Sequence, residues 1–179
     1  MSYLDLFHRI KAFVFDVDGV LTDGSVTLLP DGQQMRRMHS KDGYALQIAV
    51  KKGYRVAIIT GGNSLPVKER LQALGVTDVY LKSSHKDESM DDFIHSYDLQ
   101  PDEVMYMGDD IPDLAAMMMI GLPACPSDAA TEIKELSKYI SKKQGGKGCV
   151  REIVELIMKT QGTWYDHEKN SDNLAEFTW

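Results

Sequence analysis

Asp16 and Asp18 stand one residue apart, directly behind the apolar run Ile10-Lys11-Ala12-Phe13-Val14-Phe15 and directly ahead of Gly19. A short apolar run that ends abruptly in acid is the pattern of a buried strand delivering side chains to a sheet edge. Carboxylates crowded in a partly buried place repel each other unless a cation intervenes or one of them holds a proton. Mg2+ suits such a place, because this hard ion prefers carboxylate, carbonyl and water oxygens. Standing alone, the run from Asp16 to Thr22 would be no more than an Asp-rich strand-to-loop turn.

Two further strand ends carry comparable chemistry. Val56-Ala57-Ile58-Ile59 runs into Thr60-Gly61-Gly62, a hydroxyl and two glycines whose backbone N–H groups can approach an anion closely. Tyr106-Met107 runs into Gly108-Asp109-Asp110-Ile111-Pro112-Asp113, which places three acids within five positions. Each has a bland alternative, a simple turn for the first and an N-cap role for Asp113 in the second. Lys86 lies between these two sites at the start of an expected helix. On its own it is a solvated surface lysine; inside an anion site it would balance carboxylate and phosphate charge.

The elements that must position these residues alternate. Beyond the first strand, residues 25–29 and 33–38 flank the turn signal Pro30-Asp31-Gly32 and form an expected β-hairpin. Helices are expected over 41–52, closed by Gly53, over 65–74, closed by Gly75, and over 86–97, 111–119, 129–136 and 149–160. Strands are expected over 54–59, 78–81, 104–107, 121–125 and 139–141. Strands and helices alternating over short connections predict an α/β fold, a doubly wound, mostly parallel sheet with helices on both faces. Ligands of such sheets bind beyond the carboxyl ends of the strands, where all three acidic or glycine-rich runs fall.

Composition limits the function classes. The 179 residues suit one domain over 1–179, with a core over about 10–158 and a polar, aromatic-bearing tail over 161–179, which could be a flexible tail or an arm on a neighbouring subunit. A net charge of −7 argues against nucleic-acid binding, which draws on many Lys and Arg contacts to phosphates. No segment approaches the ~20 apolar residues of a membrane span, and the N-terminus lacks the basic start and apolar run of a signal peptide. Cys125 and Cys149 have neither zinc-site nor disulfide-framework spacing, which points to a reduced, cytoplasmic setting.

Taken together, the runs resemble the haloacid dehalogenase superfamily, whose four motifs occur here in order: Asp16-Val17-Asp18-Gly19, Thr60-Gly61, Lys86, and Gly108-Asp109-Asp110 with Asp113. The resemblance implies Asp16 as a nucleophile that becomes an aspartyl-phosphate. It implies Asp18 as the group that protonates the leaving oxygen and later activates water. Asp16, the Asp18 main-chain carbonyl and Asp109 would hold Mg2+, with Asp110 and Asp113 supporting that shell. Thr60 and Gly61 would bind phosphoryl oxygens, with Gly62 beside them, and Lys86 would position Asp16 and phosphate.

No room exists for a large cap between Asp18 and Thr60 or between Thr60 and Lys86, so the chain resembles the capless branch. Asp16 through Gly24, Lys41-Asp42-Gly43-Tyr44, Ala57-Ile58-Ile59-Thr60-Gly61, Met107-Gly108-Asp109-Asp110 and Gly145-Gly146-Lys147-Gly148 with Val150-Arg151-Glu152 are similar to the 3-deoxy-D-manno-octulosonate 8-phosphate phosphatases of lipopolysaccharide precursor synthesis. That resemblance implies a phosphorylated sugar acid as substrate, a homotetramer whose hairpins (26–38 here) reach neighbouring sites, and Arg70 as a substrate ligand.

Two departures stand out. Relatives often carry Arg where this chain has Gly62, and Lys147 replaces an arginine, whose bidentate fork a lysine does not reproduce. A related nonulosonate 9-phosphate phosphatase is therefore the alternative. A receiver-type signalling module, from a different class, fits less well because its lysine follows the phosphorylated strand end near the chain terminus, whereas Lys86 precedes Asp109.

Overall fold

The computed structural model describes residues 3–170 and 174–179. In chain order the strands are β1 (Ala12–Phe15), β2 (Thr27–Leu28), β3 (Gln34–Met35), β4 (Arg55–Ile59), β5 (Asp78–Tyr80), β6 (Val104–Met107), β7 (Leu122–Cys125) and β8 (Tyr139–Ile140). The helices are α1 (Tyr3–Phe7), α2 (Ser40–Lys51), α3 (Leu65–Ala73), α4 (Lys86–Ser96), α5 (Leu114–Met118), α6 (Thr131–Leu136), α7 (Cys149–Thr160) and α8 (His167–Asn170). Among the described residues, six strands form one parallel sheet in the order β5-β4-β1-β6-β7-β8.

β1 lies between β4 and β6, with Ala12 opposite both Arg55 and Val104. Covered on both faces, it reads as an unbroken apolar run, the pattern of a central parallel strand. Its alternate side chains enter two cores. Phe13 and Phe15 join Val56, Ile58, Met105 and Met107 beneath α2, α3 and α7. Ala12 and Val14 join Ala57, Ile59 and Tyr106 beneath α4, α5 and α6. The doubly wound sheet with helices on both faces is the observed fold.

Where the elements differ from the sequence expectation, packing explains it. The hairpin is reduced to two residue pairs, Thr27 with Met35 and Leu28 with Gln34, all exposed. A two-stranded ribbon with no layer beneath it holds only its central pairs. Its turn forms at the expected place: Leu29 N–H donates to Gln33 O at 2.9 Å and Gly32 adopts a φ of +83°. The expected helix over 111–119 divides into a tight 3-10 turn at Ile111–Asp113 followed by α5. Here the Asp113 carboxylate folds back onto the Asp109 and Asp110 N–H groups.

The N-terminal lead forms α1, which buries Leu6 and Phe7. The expected tail is folded over much of its length. Trp164 is buried, and Arg151 stacks 4.5 Å from its ring. The final residues lie along α2 of the same chain: Tyr44 Oη donates to Phe177 O and Lys51 Nζ to Thr178 O, both at 2.6 Å.

Candidate active site

A cavity of about 520 Å3 opens beyond the carboxyl ends of β1, β4 and β6, lined by Asp16, Asp18, Thr60, Gly61, Gly62, Lys86, Asp109, Asp110 and Asp113. Nine of the ten residues singled out by sequence meet there. Arg70 lines the adjoining cavity of about 450 Å3 between the hairpin and α3, and its guanidinium lies 6.0 Å from the Trp179 ring.

Strand pairing sets the first carboxylate. Asp16 N–H donates to Met107 O at 3.1 Å, continuing the β1–β6 ladder by one residue, so the Asp16 side chain emerges at the sheet end. The chain then turns sharply, and Gly19 takes a φ of +90°. A β-carbon at that position would overlap the Asp109 carboxylate, so glycine is what lets the two acidic loops meet. The Gly-Gly-Lys-Gly run seals this arrangement from outside: a β-carbon on Gly145 would overlap Gly19 O, and Gly146 N–H donates to Val20 O at 2.9 Å. In this run Lys147 Nζ lies 3.9 Å from Asp23 Oδ2 of the loop that follows Leu21.

Lys86 enters from the first turn of α4 with a side chain only 5% exposed. Its Nζ lies 2.9 Å from Asp16 Oδ1 and 2.6 Å from Asp113 Oδ1. Burial pushes this ammonium down, but the attraction of Asp16 and Asp113 more than offsets it and holds its pKa above the ordinary lysine value. Tyr106 Oη donates to Asp113 Oδ1 at 2.6 Å, while Asp113 Oδ2 accepts from Asp109 N–H at 3.0 Å. Both Asp113 oxygens are therefore engaged within the protein.

One oxygen each from Asp16, Asp109 and Asp113 lies within 4.8 Å of the others, a spacing that could hold a metal ion. Because Asp113 is committed to Lys86, Tyr106 and two amides, Asp16 and Asp109 are the better placed direct ligands, with Asp113 bracing them. Burial and the Asp113 charge push Asp16 up to about 7 against the pull of Lys86. Burial together with Asp16, Asp113 and Asp110 pushes Asp109 up to about 8. Three carboxylates against one ammonium leave an excess of negative charge that a divalent cation would neutralise, so the donor set fits a hard metal.

Thr60 is held from both sides: its N–H donates to Tyr80 O and its O accepts from Ser83 N–H, each at 3.0 Å. Its Oγ1 accepts from Gly62 N–H at 3.1 Å. With Gly61, Ser83 and Ser84 it contributes polar groups to the lining of the same cavity as Asp16.

Two contributors escaped the sequence reading. Tyr106 occupies a central strand position, where a buried hydroxyl must find a partner, and that requirement was its available signal. Arg36, just after β3, forks onto Asp18 with Nε 2.6 Å from Oδ1 and Nη2 3.1 Å from Oδ2. Nothing in the local pattern links these two residues.

Comparison with known proteins gives the family. Residues 72–153 match the family model for haloacid dehalogenase-like hydrolases. The 3-deoxy-D-manno-octulosonate 8-phosphate phosphatase of Escherichia coli (strain K12) is 33% identical over 154 residues, covering 86% of this chain and 82% of that protein. A solved structure of the same phosphatase from Moraxella catarrhalis, in complex with magnesium ion, phosphate ion and a KDO molecule, superposes with a TM-score of 0.86 at 32% identity, covering 89% of this chain and 91% of that one. The cobalt-bound phosphatase from Haemophilus influenzae gives a TM-score of 0.86 at 27% identity, covering 96% and 98%. This chain belongs to the haloacid dehalogenase-like hydrolases, in the capless branch, and is a phosphatase.

Proposed function

We propose that the protein hydrolyses 3-deoxy-D-manno-octulosonate 8-phosphate to the free sugar acid and phosphate through an aspartyl-phosphate on Asp16. The observation that carries this reading is the convergence of Asp16, Lys86, Asp109 and Thr60 in one cavity. Similarity to sugar-acid phosphatases over most of the chain supports the substrate.

Carboxylate attack on a phosphate dianion brings two anions together, so charge must be offset before positioning can help. Lys86 does this from one side of Asp16, and the Thr60 hydroxyl and the Gly61 amide receive phosphoryl oxygens from the other. Mg2+ held by Asp16, the Asp18 carbonyl and Asp109, with Asp110 and Asp113 in support, supplies the remaining positive charge when bound. Asp18, at the cavity mouth, donates a proton to the departing sugar oxygen and then takes one from the water that attacks the phosphorus. Division into two displacements gives two easier steps in place of one.

Asp16 and Asp109, held at about 7 and about 8, carry protons near neutral pH when no cation is present. A metal ion must displace those protons, so Mg2+ affinity rises as pH goes from 6 to 8 and binding releases protons. Calorimetric titration in two buffers of different ionisation enthalpy measures the release. Affinity and heat independent of pH and buffer would mean that the carboxylates are already ionised.

The same reading places the enzyme in the cytoplasm as a homotetramer, with no nucleic-acid or membrane partner. Among the described residues no helix is long and apolar enough to cross a membrane. Gly62 and Lys147 favour one second reading, a nonulosonate 9-phosphate substrate. A kinetic screen of sugar-acid phosphates against hexose phosphates tests both. We expect 3-deoxy-D-manno-octulosonate 8-phosphate to have the highest kcat/KM, and hexose phosphates ahead by a wide margin would sink the sugar-acid assignment.

A further inference from the structure

Arg36 and Asp18 form a bidentate pair across 18 positions of chain, and the Arg36 side chain is 7% exposed. The pairing joins the hairpin to the residue that must protonate the leaving group. Each Asp18 oxygen accepts one hydrogen bond from Arg36, which holds the carboxylate toward the guanidinium at the edge of the cavity. Arg36 Nη2 makes one more contact, to Gln34 Oε1 at 3.2 Å. Arg36 follows directly on β3 of the hairpin.

A second observation concerns the space beside the pair. A β-carbon built on Gly62 would lie 3.7 Å from Asp18 Oδ2 and 3.8 Å from Arg36 Nη2. Glycine at 62 therefore leaves open the space beside the pair, on the wall that also carries Thr60. Arg36 and Asp18 together line a small cavity with Thr60, Gly62 and Ser64.

From this geometry we infer that Arg36 is the receptor for the carboxylate of the substrate, and that Asp18 occupies it in the free enzyme. The inference rests on the sugar-acid reading above. A guanidinium fork accepts any carboxylate in the same planar, two-bond geometry. Exchange of the Asp18 carboxylate for the substrate carboxylate therefore keeps the number and type of hydrogen bonds at Arg36. Asp18, released, is free to face the leaving oxygen. A phosphate ester without a carboxylate offers Arg36 nothing in exchange, so it meets an enzyme whose acid–base group is still withheld. Selectivity for acidic substrates thus enters through release of Asp18 as well as through binding, the pattern in which substrate binding energy assembles the catalytic group.

The test compares kcat and KM for 3-deoxy-D-manno-octulosonate 8-phosphate and for mannose 6-phosphate, whose leaving groups are both sugar alkoxides, in wild type, Arg36→Met and Arg36→Lys. The ratio of the two kcat/KM values is the readout, because partial unfolding lowers both substrates alike. Wild type is expected to favour the acid. In Arg36→Met the ratio falls at least tenfold, with KM for the acid raised and kcat for mannose 6-phosphate not lowered in proportion. Arg36→Lys, a point charge without the fork, falls between the two. A wild-type preference that survives in Arg36→Met overturns the role of Arg36 while leaving the substrate reading intact. A wild type with no preference for the acid overturns both.

Discussion

Asp16→Asn lowers kcat by about four orders of magnitude or more, because an amide cannot form the acyl phosphate on which both displacements depend. The substitution is nearly isosteric and keeps a carbonyl oxygen near Lys86, so the loss is chemical and the fold survives. Stability makes this separable. In the metal-free protein burial and the Asp113 charge hold the Asp16 pKa at about 7, above the ordinary value of 3.8. A carboxyl group whose folded pKa is raised costs the folded state nothing below the unfolded value, and an increasing amount from there up to the folded value. Asparagine removes that cost. Without metal, Asp16→Asn therefore melts higher than wild type at pH 8 and at the same temperature as wild type at pH 3.5. Thermal scans at the two pH values, beside the activity assay, measure both effects. A variant that is inactive and also melts lower at pH 8 would mean that Asp16 acts as a structural anchor.

Lys86→Met has the second large effect, and its pH dependence runs the other way. Lys86 is the ammonium between Asp16 and Asp113, buried with them, and removal of one member of a buried ionic cluster costs about 3–5 kcal/mol when the partners stay charged. Asp16, pushed up to about 7, is charged at pH 8 and protonated toward pH 5. The loss of stability is therefore largest near pH 8 and shrinks toward pH 5, as urea unfolding at the two values would measure. Saturating Mg2+ restores part of it, since a cation can take over the charge balance. Catalysis falls by about 10²–10³-fold in kcat, comparable to removal of one preorganised charge donor from an anionic transition state. An equal loss of stability at both pH values would contradict the charge-balancing role assigned to Lys86.

The parts legible in the sequence are those whose signal is local. β1, β4 and β6 are short apolar runs closed by Asp, Thr-Gly or Gly-Asp, and a parallel sheet brings such ends to one edge whatever lies between them. Asp16, Thr60 and Asp109 stand at those ends, and the order of the four motifs added Lys86. The Asp113 bonding pattern was only half legible, since an N-cap role and a bracing role look alike until Tyr106 and Lys86 are seen on the same oxygen. Arg36 was illegible: it belongs to an exposed ribbon with no buried face, and its partner lies across a turn whose shape Gly19, Gly145 and Gly146 decide. Gly145 and Gly146 were noticed as a motif, but their purpose is backbone-to-backbone approach, which no side-chain pattern encodes. Asp42 in the Lys41-Asp42-Gly43-Tyr44 run is likewise structural. Its Oδ1 accepts from Arg151 N–H at 2.7 Å and so ties α2 to the first turn of α7. The tail aromatics carried no periodicity, so their seat on α2 could not be anticipated.

The covalent role of Asp16 is the claim on which the rest depends, and trapping tests it most directly. Protein mixed with excess phosphorylated sugar acid and Mg2+, quenched in acid within the first turnover and reduced with borohydride, should carry homoserine at position 16, as read by peptide mass spectrometry. Full turnover with Asp16 unmodified, or with the reduced residue at Asp18 or Asp109 instead, would contradict the account.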